Sequence, residues 1–137
     1  ITDYAIVRED INALKQHYDI QEIAVDAQFQ GWNIINQLLE DGFEAYPHNQ
    51  TFLAMNRPAR EFERLVISQQ LEHGGDPILG WCAGNVVVAE HDNLIKPVKD
   101  KYAEKVDAIQ AAVMAVGRAT THRGDGVDYD SEKIIWA

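Results

Sequence analysis

The order strand, helix, strand between residues 21 and 47 constrains this chain more than any other stretch. Gln21-Glu22-Ile23-Ala24-Val25-Asp26 reads as a short strand whose last apolar residues do not alternate, as in a strand covered on both faces. A helix follows from about Gly31 to Asp41, with Trp32, Ile35, Leu38 and Leu39 inward and Gly42 placed to end it. Phe43-Glu44-Ala45-Tyr46-Pro47 alternates and stops at proline, giving a second brief strand. A helical connection between adjacent strands implies a parallel pair with a right-handed crossover. The expected class is therefore α/β.

Asp26 closes the first of these strands. In open α/β sheets ligands and catalytic groups collect at that edge. An N-cap role for the following helix is an equally economical use of the residue.

A second aspartate stands in Lys105–Val116, a segment apolar on nearly every side. Residues 106, 109, 113 and 116 fall on one helical stripe and 103, 107, 111 and 114 on another, so Asp107 lies in a row of alanines and a methionine. The spacing predicts a desolvated carboxylate, which needs a hydrogen bond, a cation or a metal. A loop cap or a lysine partner is the alternative to a metal.

The rest of the chain supplies smaller elements. Val7, Ile11, Leu14 and Tyr18 recur at helical spacing, with Thr2 or Asp3 as cap. Pro58 is expected in the first turn of a third helix whose inner face is Phe62, Leu65 and Val66. Arg57, Arg60 and Arg64 lie on its outer side, suited either to a phosphate backbone or to a solvated face beside Glu61 and Glu63. His73-Gly74-Gly75-Asp76-Pro77 is a turn, and Ile78–Ala83 reads as a short buried helix. His73 suits either a phosphate or metal contact or a packing role. Asn85–Glu90 is β-branched, His91-Asp92-Asn93 turns, and Leu94–Val98 returns as an edge strand containing Pro97. Lys96, Lys99, Lys101 and Lys105 form the one clearly basic neighbourhood, just ahead of Asp107. From Thr120 the pattern gives way to a polar, acidic tail, whose Asp125, Asp128 and Asp130 lack the ligand order of a calcium loop.

Composition narrows the function classes. At 137 residues the chain is long enough for one domain with a real core, and its 46% hydrophobic content argues for a folded, soluble protein. No apolar run approaches the roughly 20 residues that span a bilayer, and no secretory signal is present. A lone Cys82 excludes an internal disulfide and disfavours structural zinc, consistent with a reducing cytoplasm. With 22 acidic against 12 basic residues, a formal charge of −10, the surface as a whole does not attract nucleic acid. Any DNA contact has to be local or bridged by metal ions.

Two aspartates held on rigid elements suit one chemistry in particular. Phosphodiester hydrolysis needs a deprotonated water and neutralised charge on the phosphate, which two cations about 3.5–4 Å apart supply. Mg²⁺ and Mn²⁺ prefer carboxylate and water oxygens. Asp26 and Asp107 meet that need if the fold brings them together, with Lys99, Lys101, Lys105, Arg60 and Arg64 as candidate DNA contacts.

The segments Tyr18–Asp26, Met55–Pro58, Glu63–Leu65, His73–Trp81, Asn85–Val88 and Glu104–Ile109, taken in that order, resemble the C-terminal nuclease domain of tailed-phage terminase large subunits. The resemblance covers residues 1 to about 119, leaving 120–137 as the tail, and His-Gly-Gly-Asp-Pro with Lys-Val-Asp are its most specific blocks. It implies a ribonuclease-H-like fold, here its later half, with a mixed sheet flanked by helices. It further implies a metal-dependent endonuclease that cuts concatemeric viral double-stranded DNA during packaging, in a phage or prophage, with Asp26 and Asp107 as catalytic and metal-binding acids and Mg²⁺ or Mn²⁺ as cofactor. The implied partners are double-stranded DNA, the portal protein, the small terminase subunit and the ATPase motor domain, in the cytoplasm of a bacterial host and away from membranes. A catalytically incomplete assembly or DNA-binding module is the alternative. Where this family usually shows an arginine and an aromatic after the strand acid, this chain has Ala27-Gln28-Phe29. The family's first acid lies on an earlier antiparallel strand, so the chain is expected to be a fragment with weakened or single-ion metal binding.

Overall fold

Helix α1 (Tyr4–Leu14) begins where the Asp3 carboxylate accepts the Ala5 N–H at 2.9 Å, one of the two caps expected. The computed structural model describes residues 2–121 and 134–135, and its contacts divide the chain into two units, Ile1–Asn49 and Gln50–Ala137.

In the first unit, β1 (Ile23–Val25) and β2 (Ala45–Pro47) pair in parallel across helix α2 (Gly31–Glu40), as the sequence predicts. Ile23 faces Ala45 and Val25 faces Pro47. Helix α2 buries Gly31, Ile34, Ile35 and Leu38, a stripe at i, i+3, i+4 and i+7. Trp32 and Leu39 fall outside that stripe and are 56% and 48% exposed, which corrects their inward placement. The stripe packs with Phe43 and Ala45 into a core that Ile11, Ile23, Val25 and Ala27 flank. Gly42, at φ +87°, ends α2 while the Phe43 N–H donates to Leu38 O and the Gly42 N–H to Leu39 O, each at 3.0 Å. These are the two bonds of a Schellman termination. Beside it the Asp41 carboxylate accepts two bonds from Arg8 (2.6 and 2.7 Å) and one from Asn12 (2.8 Å), tying α1 to the end of α2.

The second unit is built on α3 (Phe52–Ile67), β3 (Leu71–Glu72), α4 (Pro77–Asn85), β4 (Val86–His91), β5 (Leu94–Lys99) and α5 (Asp107–Thr121). Helix α3 starts earlier than expected because Thr51 caps it, its hydroxyl accepting the Ala54 N–H at 3.2 Å. Pro58 is thereby the seventh helical residue, inside the helix and buried, rather than in its first turn. A Cβ at Gly117 of α5 would lie 2.5 Å from the Pro58 ring, so α3 and α5 approach closely there. Leu65 is buried as expected, whereas Val66 is 50% exposed. Helix α4 is not buried. Only Cys82 is covered, because this nine-residue helix packs on α5 through one face and leaves Ile78 and Trp81 in solvent.

Strands β4 and β5 form the expected antiparallel hairpin, Val87 opposite Val98 and Ala89 opposite Lys96. Asp92 and Asn93 both adopt positive φ at its turn, matching a right-handed strand twist. Strand β6 (Ile134–Ile135) pairs in parallel with β3. The overall class is mixed α/β, with parallel and antiparallel pairs set among helices. Helix α5 carries through Thr120 and Thr121, whose hydroxyls donate to Val116 O and Gly117 O at 2.9 and 2.7 Å. The remaining tail residues 122–133, including Asp125, Asp128 and Asp130, and residues 136–137 lie outside the described residues. No described helix is long and apolar enough to cross a membrane.

Candidate functional site

Asp26 sits where β1 ends, half-buried, one residue past Val25. It does not cap α2. The N-cap is Gln30, without a side-chain capping bond, and Asp26 Oδ1 instead accepts the Gln28 N–H at 3.1 Å. The turn closes through the Gly31 N–H to Gln28 O at 3.0 Å. Glycine is required at 31 because any Cβ there would collide with the Asp26 carbonyl. The backbone from 26 to 31 therefore holds the carboxylate at the strand's carboxyl edge, the position the strand-helix-strand reading anticipates.

Asp107 occupies a different setting, in the second unit. It opens α5, whose amides face an acid favourably through the helix dipole. The side chain is exposed, and among the described residues no charged or polar side chain is fully buried. The expectation of a desolvated carboxylate was therefore wrong. The buried side of α5 is Ile109, Ala112, Val113, Met114, Val116 and Gly117, so residue 107 falls off the covered stripe at the point where the helix begins. Among the described residues no lysine or arginine forms an ion pair with it, so the lysine-partner alternative does not describe Asp107.

The basic candidates divide. Lys99, Lys101 and Lys105 are exposed, and together they run from the end of β5 to the start of α5 within the second unit. Tyr102, also exposed, has the Lys101 ammonium 5.4 Å above its ring. Asn85 donates to Lys105 O at 3.0 Å, fixing the chain just ahead of Asp107. Lys96 is turned aside, bonded to Gln50 O at 3.2 Å and set over the Phe52 ring. Arg60 donates to Asn56 Oδ1 (3.0 Å) and Asn93 O (2.8 Å), and Arg64 makes a bidentate pair with Glu61 (2.6 and 3.0 Å). That pairing raises the Arg64 pKa through its bonds to Glu61. Both guanidinium groups are exposed but already serve the protein's own surface, so the lysines are the freer cations. His73 works within its turn, its Nδ1 accepting the Gly75 N–H at 3.1 Å.

Sequence periodicity missed Asn56. Its Oδ1 accepts from the Ile95 N–H at 3.0 Å as well as from Arg60, joining α3 to the hairpin. It also missed the outward aromatics Phe29 and Trp32, three and six residues after Asp26.

The donor chemistry suits Mg²⁺ or Mn²⁺. Both candidates are aspartates, hard oxygen donors on a strand end and a helix start, and such ions are commonly held by one or two carboxylates with waters and phosphate oxygens completing the shell. Among the described residues no group of three or more His, Cys, Asp or Glu side chains forms a metal cage.

Comparison with known proteins gives a consistent result. Residues 1–123 match the model of the family described as terminase large subunit, endonuclease domain. The chain is similar to the large terminase subunit of Enterobacteria phage HK97, 29% identical over 138 residues, covering 93% of this chain and 26% of that protein. It is also similar to protein YmfN of Escherichia coli strain K12, 32% identical over 120 residues, with 85% of this chain and 26% of that protein covered. The crystal structure of the HK97 large terminase superposes with a TM-score of 0.75 at 26% identity, over 85% of this chain and 25% of that one. The chain thus spans about a quarter of the length of the relatives it matches.

Proposed function

This chain belongs to the endonuclease-domain family of terminase large subunits, and from that premise we propose that it cuts concatemeric viral double-stranded DNA during packaging by divalent-metal-dependent phosphodiester hydrolysis. The observation that carries the proposal is the family match over residues 1–123, which takes in both aspartates. The ribonuclease-H-like fold shared with the HK97 enzyme's structure agrees with it.

In this reading Asp26 and Asp107 hold Mg²⁺ or Mn²⁺, in the two-cation form of the chemistry. When bound, the cations neutralise charge on the attacked phosphate and lower the pKa of the attacking water. The protein's own groups do the rest. The turn from Asp26 to Gly31 fixes one carboxylate against the backbone, and the start of α5 presents the other to solvent with no lysine or arginine among the described residues paired with it. Lys99, Lys101 and Lys105 contact phosphates along the DNA, a local attraction that offsets the acidic surface. The portal, the small subunit and the motor domain are the partners of the assembled machine, which works in the cytoplasm of the bacterial host.

A second reading, a DNA-binding or assembly module that does not cut, draws on Ala27-Gln28-Phe29 following the strand acid, in place of the arginine and aromatic that the family resemblance leads one to expect. The two separate in one experiment: nicking of supercoiled plasmid with and without Mn²⁺, by the unaltered chain and by Asp26→Asn and Asp107→Asn. The nuclease reading expects Mn²⁺-dependent nicking that falls at least about a hundred-fold in either variant, since charge stabilisation of this kind supplies several kcal/mol. Equal nicking by the chain and its variants would remove both aspartates from the chemistry. DNA binding without nicking in any of them would favour the assembly module.

A further inference from the structure

Phe29 is 99% exposed, although Ala27, two residues earlier, packs against the core. Its φ is 54°, a left-handed conformation unusual for a bulky residue. The ring is neither part of the core nor at a chain end. It stands at the tip of a turn closed by the Gln28 N–H to Asp26 and the Gly31 N–H to Gln28, with no room at Gly31 for a side chain. Trp32, three residues on in the first turn of α2, is 56% exposed. A turn tip ordinarily carries Gly, Asn, Asp or Ser, and a polar residue there would spare the exposure of a phenyl ring. Two aromatics thus stand in solvent within six residues of the strand-end carboxylate, available for an apolar contact that forms on binding.

We infer that Phe29 is a base-stacking contact that seats a DNA strand next to Asp26, with Trp32 a second exposed aromatic three residues further along the chain. The inference rests on the nuclease reading and extends it to a binding residue. Every base offers a π-face, so such a contact tolerates any sequence, and apolar side chains inserted at a base step partly unstack it. Stacking also needs no positive charge, which suits a chain of net charge −10.

The test uses the full chain with Mn²⁺ and duplexes carrying 2-aminopurine, comparing Phe29→Ala, Phe29→Gly and Phe29→Trp. Loss of the ring weakens duplex binding about ten-fold, the equivalent of one stacked base, and abolishes the fluorescence rise that reports unstacking. Phe29→Trp keeps both signals. Melting temperature and Mn²⁺ affinity stay unchanged in Phe29→Ala, because the side chain touches solvent rather than core, and Phe29→Gly accepts the positive φ without strain. Unchanged DNA affinity and fluorescence in Phe29→Ala overturn the inference while leaving the nuclease reading intact. A fall in melting temperature in both the Ala and Gly variants overturns it in favour of a structural role. If the unaltered chain neither binds nor nicks DNA, the nuclease reading fails and takes this one with it.

Discussion

The two units present an aspartate by opposite means. In the first, Asp26 follows a parallel strand and is held by the backbone of a tight turn, so its position depends on a few residues next to it in sequence. In the second, Asp107 opens a helix, and its position depends on how α5 packs against α3 through Gly117 and Pro58, ten and more residues away. A carboxylate placed by a turn is sensitive to local changes. One placed by a helix is sensitive to distant ones.

The largest effects expected are those that empty each unit's core. Leu38 and Leu65 are both fully buried, and Leu38→Ala or Leu65→Ala should each cost about 2–5 kcal/mol in chemical denaturation, by lost transfer energy plus a cavity. Hydrogen exchange sharpens the contrast: Leu38→Ala should first speed amides of α2 and β1, and Leu65→Ala those of α3 and α5. The same amides responding to both variants would dissolve the distinction between the units.

Intermediate effects are expected from the two glycines. Gly117→Ala drives a Cβ against the Pro58 ring and Gly31→Ala drives one against the Asp26 carbonyl, each costing roughly 1–3 kcal/mol as overpacking does. They should differ in function. Gly31→Ala displaces Asp26 directly, so Mn²⁺ affinity should fall in folded protein; Gly117→Ala should lower the melting temperature with Mn²⁺ affinity retained once the protein is cooled. Identical metal affinities in the two variants would break the comparison at its centre.

The smallest effect concerns acid. Bonds from Arg8, then from Asn12, hold the Asp41 carboxyl at about 2, well below the usual carboxylate range. Because the folded value is the lower one, the unfolded state takes up a proton first as pH falls. The stabilisation is therefore fully present above the ordinary carboxylate pKa near 4 and is lost progressively as pH falls towards 2. Acid titration followed by circular dichroism should show Arg8→Met flattening that limb. An unaltered acid limb in the variant would show that the network linking α1 to α2 contributes nothing measurable.

Most of the local architecture was legible in the sequence because it is written in short-range chemistry. The strand-helix-strand segment follows from apolar runs punctuated by Gly42 and Pro47, the hairpin from Val86–Glu90 and Asp92-Asn93, and the end of α2 from a glycine that accepts positive φ. Asp26 at a strand's carboxyl edge belongs with these. Its neighbour Trp32 does not, since a helix with apolar residues on several sides leaves its buried face to be chosen by the partner it meets.

By itself, then, the sequence determined the class of fold, the order of its elements, the family resemblance and the residue types available for holding metal. Only the tertiary structure decided that Asp107 stands in solvent rather than among apolar neighbours, that Pro58 lies within a helix, that α4 is mostly exposed and that Phe29 points away from the core. The physical reason is the range of the interactions. Caps, turns and strand pairing are settled within a few residues, whereas burial is a property of contacts such as α3 with α5, made between segments some 50 residues or more apart that no local pattern records.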